Sequence, residues 1–118
     1  MHNFEKLLFW QKSMRLTKNI YLVCAEIPHD ERFGLISQMK RSAVSICSNI
    51  AEGAGRNTNG EFNQFLGIAN GSSFELQTQL LLSKELNLLN KEKVDRLLED
   101  LNEIQKMVYT FKQNLKQV

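Results

Sequence analysis

Apolar side chains recur along most of this chain at alternating spacings of three and four residues. The repeat is clearest near the end of the sequence, in the series Val94, Leu97, Leu101, Ile104, Val108, Phe111 and Leu115. That spacing puts one apolar stripe along a helix and is typical of helices packed at shallow angles. No stretch of useful length alternates with the two-residue period of a strand. The pattern therefore predicts an all-α chain.

Three breaks divide the repeat into four helical segments. The first is Pro28, which pushes the preceding residue out of helical backbone, and Asp30 is then a good N-cap for the next helix. The second is rich in glycine and asparagine, and there Thr58 and Glu61 match a capping box. The third ends at Asn90, another N-cap residue. Short connections favour an antiparallel up-and-down four-helix bundle. We predict one domain over residues 1–118, with helices at roughly 4–26, 31–55, 59–87 and 91–116.

The first predicted helix carries two apolar stripes. The stripe assigned to the core is Leu7, Trp10, Met14, Thr17, Tyr21 and Cys24. The second stripe is Leu16, Ile20, Val23 and Ile27. A helix with two apolar faces has more to bury than one bundle core usually takes. Either the core face of this helix is wide, or the second stripe is a subunit interface, since large exposed apolar patches mark association sites.

The second and third helices are unusually rich in glycine and small polar residues. Glycine inside a helix costs about 1 kcal/mol relative to alanine, so we expect a compensating contact. We predict a close-packed, hydrogen-bonded seam between the two helices that serves packing or assembly. Its predicted members are Ser45, Asn49, Glu52, Gly53, Gly67, Gly71, Ser72, Glu75 and Gln79.

A small-molecule or metal site is the alternative interpretation of part of this seam. It would be lined by Asn49, Glu52, Glu75 and Gln79. We consider it weaker, because di-iron bundles need paired Glu-x-x-His motifs and a lone carboxylate pair is a poor cage for anything but a hard cation.

Composition and charge narrow the classes of function. The 118 residues are 42% hydrophobic and 24% charged, which is globular rather than disordered composition. The net charge of +2 permits nucleic-acid binding but does not demand it. A phosphate-contacting surface is one interpretation of the basic residues, and a solvated face is the other. The candidates for nucleic-acid binding are Lys12, Arg15, Lys18, Lys40, Arg41 and Arg56.

The cysteines and the N-terminus bear on the compartment. Cys24 and Cys47 lie in apolar helical stretches without paired spacing, so we predict buried free thiols. The N-terminus lacks the apolar run of a signal peptide, and no stretch reaches the roughly 18 apolar residues of a membrane span. We therefore expect a cytoplasmic protein with no membrane partner.

Catalytic motifs are absent or incomplete. Residues 37–40 have the Ser-x-x-Lys form, but the companion motifs of penicillin-recognising enzymes are missing. Residues 53–55 lack the later glycine of a dinucleotide fingerprint. His2 and His29 have no evident nucleophile partner, and no Cys/His cluster has zinc spacing. We expect no enzyme activity, no cofactor and no metal.

Several sequence blocks carry a family resemblance. They are Leu7-x-x-Trp10-Gln11, Phe33-Gly34-Leu35-x-x-Gln38, Ser48-Asn49-Ile50-Ala51-Glu52-Gly53, Glu61-Phe62-x-x-Phe65-Leu66 and Gly71-Ser72-x-x-Glu75-Leu76-x-Thr78-Gln79. Over most of its length the chain resembles the bacterial four-helix-bundle family encoded in intervening sequences of 23S ribosomal RNA genes, often labelled ribosomal proteins. That family is similar to the accessory variability protein of diversity-generating retroelements. Cys47 stands where the family pattern has proline. Because proline removes a backbone hydrogen bond and kinks a helix, its replacement by cysteine would weaken a kink in the second helix.

The resemblance implies a cytoplasmic ring, a homopentamer, that associates with RNA or other nucleic acid. A pentamer of this chain would carry a charge of about +10, enough only for weak electrostatic attraction. The alternative is an oligomeric scaffold or adaptor that binds another protein.

Overall fold

Four α-helices make up most of the computed structural model, which describes residues 1–115. They are α1 Leu8–Cys24, α2 Leu35–Ala54, α3 Asn59–Glu85 and α4 Lys91–Asn114, with short 3₁₀ helices at Phe4–Lys6 and His29–Glu31. Close backbone contacts join α1 to α2, α2 to α3, α3 to α4 and α4 to α1, while no Cα atoms of either diagonal pair of these helices come within 8 Å of each other. The helices therefore stand at the four corners of a bundle 47 Å long. The predicted all-α fold is confirmed, and residues 1–115 contain no strand.

Neighbouring helices run antiparallel. Between α1 and α4, Lys12 pairs with Glu103 and Glu26 pairs with Lys93, both at 2.7 Å, so residue numbers rise along one helix as they fall along the other. The contacts between the other neighbours follow the same falling order. This is the up-and-down arrangement that short connections favour.

The core takes its largest side chains from all four helices. Ile20, Met39, Phe62, Leu66 and Leu101 are each at most 1% exposed. Burying a side chain of this size contributes about 1.5–3 kcal/mol. These residues hold the helices in fixed relative positions and so determine which side chains reach the surface.

The second apolar stripe belongs to a wide core face, which was one of its two predicted roles. The predicted core stripe is only partly in the core, with Cys24 buried and Leu7 and Trp10 packed against the core. The second stripe, Leu16, Ile20, Val23 and Ile27, is buried, whereas Met14 and Tyr21 of the predicted core stripe are each 46% exposed. Thr17 lies between the two helices, where its hydroxyl donates to Ser13 O of α1 and to Ala43 O of α2. The branched aliphatic stripe buries more apolar area than one containing Thr17 and Tyr21. The second stripe is therefore not a subunit interface.

The predicted starts of α3 and α4 at residues 59 and 91 are confirmed, and the largest differences are at the starts of α1 and α2. Residues 4–6 form a 3₁₀ turn, so α1 begins at Leu8, and α1 ends two residues earlier than expected. Asp30 is not an N-cap, because it lies in a 3₁₀ turn that follows Pro28, and Gly34 (φ −108°, ψ −107°) precedes α2. α2 ends at residue 54 and α3 at residue 85. The predicted end of the last helix at residue 116 lies outside the described residues.

The helix caps agree closely with the sequence. The Thr58 hydroxyl accepts from Glu61 N at 3.1 Å and donates to the Glu61 carboxylate, and Asn90 Oδ1 accepts from Lys93 N at 3.1 Å. At the end of α3, Asn87 adopts φ 56°, and Leu88 N donates to Ser83 O at 2.9 Å. That bond and left-handed residue form a Schellman motif, for which asparagine is suited.

Candidate functional site

A polar cluster lies where α2 crosses α3. The hydroxyls of Ser45 and Ser72 are 2.7 Å apart, and Asn49 Nδ2 donates to Ser45 O at 2.8 Å and to Ser45 Oγ at 3.0 Å. α2 and α3 are also the most extensively packed pair of helices. The structure thus brings together Ser45, Asn49 and Ser72 from the predicted seam.

Gly53 marks the closest approach of the same two helices. A Cβ atom built on Gly53 would lie 2.7 Å from Phe65 Cβ and 2.9 Å from Phe62 Cδ1. Contacts this short do not occur in real structures, so no other residue fits here without movement of α2 or α3. The cost of glycine in the helix is offset by this contact.

Four predicted members of the seam lie elsewhere. A Cβ on Gly67 would come near only Lys112 Nζ, at 3.5 Å, and a Cβ on Gly71 would meet nothing within 4 Å. Glu52 and Glu75 are exposed. The prediction that the two α3 glycines face α2 is wrong, because at 100° per residue they turn away from the face that carries Ser72.

The structure does not support a small-molecule site on the four candidate polar residues. Asn49 and Glu52 share a shallow surface depression with Ser48, Ala51 and Phe65, but neither Glu75 nor Gln79 lines it. Gln79 is half-buried, and its Oε1 accepts no hydrogen bond from the described residues. Within residues 1–115, no group of three His, Cys, Asp or Glu side chains could hold a metal ion.

Two of the six candidate basic residues are paired with acidic side chains of the same chain. Lys12 lies 2.7 Å from Glu103 across the α1–α4 groove. Arg56 lies 3.5 Å from Glu52 and 3.9 Å from Glu61, and its guanidinium stacks 4.8 Å from the Phe65 ring centroid. Their charges are partly neutralised before any partner arrives.

The other four basic residues remain more available. Lys40 Nζ sits 4.8 Å from the centroid of the Tyr21 ring. Arg15, Lys18 and Arg41 are exposed and have no carboxylate partner within 4.0 Å among the described residues. Five of the six candidates lie on the neighbouring helices α1 and α2, and Arg56 follows the end of α2.

Charge is divided unevenly between the two halves of the bundle. α1 carries Lys12, Arg15 and Lys18 and no acidic residue. α2 adds Lys40 and Arg41 against Glu52, whereas α3 carries Glu61, Glu75 and Glu85 against Lys84. α4 balances its basic and acidic residues. The α1–α2 half is therefore positive and the α3–α4 half negative, which inspection of single basic residues missed.

Surface grooves run between neighbouring helices. The groove between α1 and α4, of about 270 Å³, has ion-paired charges, including Glu26 with Lys93. The groove between α3 and α4, of about 540 Å³, has Leu81 and Leu98 in its lining, beside Asp95 and Glu99. The second groove thus combines an apolar surface with a local excess of carboxylates.

The N-terminal segment closes one end of the bundle, a feature that the sequence pattern did not predict. His2 N donates to Ala54 O at 2.8 Å, and the His2 ring lies 4.9 Å from Phe62 and 6.1 Å from Phe111. His2 Nε2 is 3.3 Å from Asn59 Oδ1. A single residue outside the helices has no periodicity, so only the tertiary structure reveals this contact.

Both cysteine side chains lie inside the bundle as free thiols. Cys24 and Cys47 are buried and free, as predicted. Burial raises the pKa of the Cys24 thiol, although the nearby Lys40 charge opposes the shift. α2 is continuous through Cys47, whose thiol lies 3.4 Å from Val44 O.

Of the helices in residues 1–115, none is sufficiently long and apolar to span a membrane.

Comparisons with known proteins point to one family. The sequence model of the 23S rRNA-intervening sequence protein matches residues 5–110. The fold is similar to the crystal structure of a protein of unknown function from the S23 ribosomal protein family of Bacteroides thetaiotaomicron. The TM-score is 0.85 over 91% of this chain and 96% of that chain, at 22% sequence identity, a level that shows the fold alone. Among curated proteins, no match was found.

Proposed function

Because this chain belongs to the 23S rRNA-intervening sequence protein family, we propose that it is a non-enzymatic bundle that assembles with copies of itself into a ring. The pentamer implied by the sequence resemblance is the expected size. Assembly of this kind makes a larger binding surface than one bundle of 13.7 kDa can offer.

The outer surface of α3 supports self-assembly. From Phe62 to Phe74 the helix has no charged residue, although part of this stretch faces away from the core. Ile68, Phe74 and Leu81 are exposed. A helix on the surface of a monomer normally presents a charged or polar face to water. The exposed side of α3 is instead typical of a surface covered by another protein chain.

Native mass spectrometry of the purified chain tests this proposal. A closed ring gives one dominant oligomeric mass that stays constant as the concentration rises. A single species of 13.7 kDa at every concentration, or masses that grow without limit, would contradict it.

Association with RNA is a second proposal, and the positive charge of α1 favours it. Lys12, Arg15 and Lys18 lie on a helix with no acidic residue, and the last two have no carboxylate partner among the described residues. Contacts from such residues to phosphates are independent of sequence and weaken with salt. Repeating α1 around a ring would multiply a weak attraction.

A mobility-shift experiment with structured RNA tests the second proposal. We expect binding at low ionic strength that disappears at high salt, and weaker binding when Arg15 and Lys18 are both replaced by glutamate. If an intact ring shifts no RNA at low ionic strength, association with RNA is wrong. That result would favour an adaptor that binds another protein, which a specific partner in a pull-down would identify.

A further inference from the structure

One side of the bundle is suited to bind the opposite side of a second copy of the chain. We propose that the α1–α2 face, defined by Met14, Tyr21, Lys40 and Val44, binds the α3–α4 face of the next copy. The α3–α4 face is defined by Phe74, Leu81, Asp95, Leu98 and Glu99. This head-to-tail contact rests on the self-assembly proposed above and specifies which surfaces it uses.

The bundle topology places these faces on opposite sides. The backbone of each helix packs closely against only its two neighbours, so the side formed by α1 and α2 lies across the core from the side formed by α3 and α4. A contact between two different surfaces is heterologous, and its repetition generates a closed ring or an open filament. A protein with a single, self-complementary binding face would form a dimer and no larger assembly.

Both faces offer apolar area that the chain itself leaves uncovered. On the α1–α2 face, Met14 and Tyr21 are each 46% exposed, and Val44 is also exposed. On the α3–α4 face, Phe74 and Leu81 are seven residues apart and share one stripe of α3, and both are about half exposed. The groove between Leu81 and Leu98 provides space for a side chain such as Tyr21.

Charge decides the pairing. Lys40 lies over the Tyr21 ring at the edge of the first face, and Arg41 beside it has no carboxylate partner among the described residues. On the second face Glu99 has no cationic partner within 4.0 Å in residues 1–115, whereas Asp95 is paired with Lys84. A contact between two α1–α2 faces would oppose like charges, while a head-to-tail contact brings Lys40 to Glu99.

On the remaining two sides of the bundle, several polar and charged groups are already bonded within the chain. On the α1–α4 side, the charged residues at both ends of the groove are paired within the chain, Lys12 with Glu103 and Glu26 with Lys93. On the α2–α3 side, the polar groups of the seam bond to each other. The α1–α4 groove also has Arg96 and Asp100 in its lining, and neither has an ion-pair partner within 4.0 Å among the described residues. The preference for the α1–α2 and α3–α4 faces therefore rests on their complementary apolar area and charge.

Single substitutions on each face, with neighbours as controls, test the proposal. Tyr21→Glu and Leu81→Glu each place a carboxylate in the contact. Their controls are Leu22→Glu and Leu82→Glu, which change the adjacent, comparably exposed residue on another side of the same helix. Folding is checked by circular dichroism and assembly by light scattering. We expect both test variants to be monomers at concentrations where the unmodified chain and both controls assemble.

Mixing the two test variants gives the sharper result. Each variant retains the face that the other lacks, so an equimolar mixture should form a one-to-one heterodimer that cannot grow further. A mixture that stays monomeric, or assembly that survives either test variant, overturns the head-to-tail pairing. If both variants still form the ring, only the assigned faces are wrong. If the unmodified chain is itself monomeric, the proposed self-assembly fails as well.

Charge reversal provides an independent check that removes no apolar area. Lys40→Glu alone and Glu99→Lys alone should weaken assembly, and the two changes in one chain should restore it. Failure of the double variant to recover any assembly would contradict the pairing of Lys40 with Glu99.

Discussion

The hydroxyl groups of Ser45 and Ser72 lie 2.7 Å apart across the interface between α2 and α3. The bond joins the two helices at the middle of their contact, and Asn49 extends it by donating to Ser45. Few polar groups on this side of the bundle connect separate helices, so the bond helps to set how α2 and α3 are aligned along their axes.

Removing either hydroxyl should reduce stability. Ser72→Ala or Ser45→Ala leaves a partly buried partner without its bond, and we expect a loss of about 1 kcal/mol each. The double variant should lose less than the two single losses together, because neither partner is then left unsatisfied. Urea unfolding of the four proteins measures the coupling, and strictly additive losses would show that the two hydroxyls do not interact.

Replacement by alanine should lower stability at Gly53 and raise it at Gly71. Gly53→Ala places a methyl group 2.7 Å from Phe65 Cβ, so we expect a loss of about 1–3 kcal/mol from overpacking. Gly71→Ala enters open space and should add up to about 1 kcal/mol of stability from helix propensity. Thermal unfolding compares them, and a stabilising Gly53→Ala or a clearly destabilising Gly71→Ala would contradict the contacts described here.

The contact of His2 with the end of the bundle should contribute measurably to stability. His2→Ala removes the ring that lies 4.9 Å from Phe62, and we expect a loss of about 0.5–1.5 kcal/mol. The exposed His29 provides the control, because His29→Ala should change stability by less than about 0.5 kcal/mol. Equal effects of the two substitutions would mean that the N-terminal segment does not pack as described.

Burial of Cys24 predicts weaker folding at alkaline pH. The pKa of this thiol is raised from its ordinary value of 9.0, chiefly by burial. The folded state then holds the proton more tightly than the unfolded state, so stability is unaffected below about pH 9 and falls as the pH rises through the raised pKa. Unfolding measurements from pH 8 to 10.5 should show a shallower decline for Cys24→Ala, after allowance for its lower stability at neutral pH. Identical declines would contradict this assignment.

Local sequence signals predicted the helices well because they act within a few residues. The caps at Thr58 and Asn90 depend on side chains bonding to backbone three residues later, which no distant contact needs to complete. The break at Pro28 is equally local. The predicted start of α2 was wrong because Asp30 is suited to a 3₁₀ turn as well as to a helix N-cap, and the chain forms the turn.

Tertiary relationships were harder to predict. The stripe of α1 containing Met14 and the stripe containing Ile20 are both apolar, and only packing of the four helices decides which one is buried. Gly67 and Gly71 have the same four-residue spacing as true close contacts, but they turn away from α2. The uneven division of charge was present in the sequence, yet it became meaningful only when the bundle placed α1 and α2 on one side.

We propose that this chain functions as an assembly of several copies. Light scattering on a sizing column, with absorbance at two wavelengths, measures the subunit number and any bound nucleic acid in one experiment. We predict a single peak with a mass close to five times 13.7 kDa, with nucleic-acid absorbance at low salt that is lost at high salt. A peak at 13.7 kDa that does not change with concentration or salt would contradict the account.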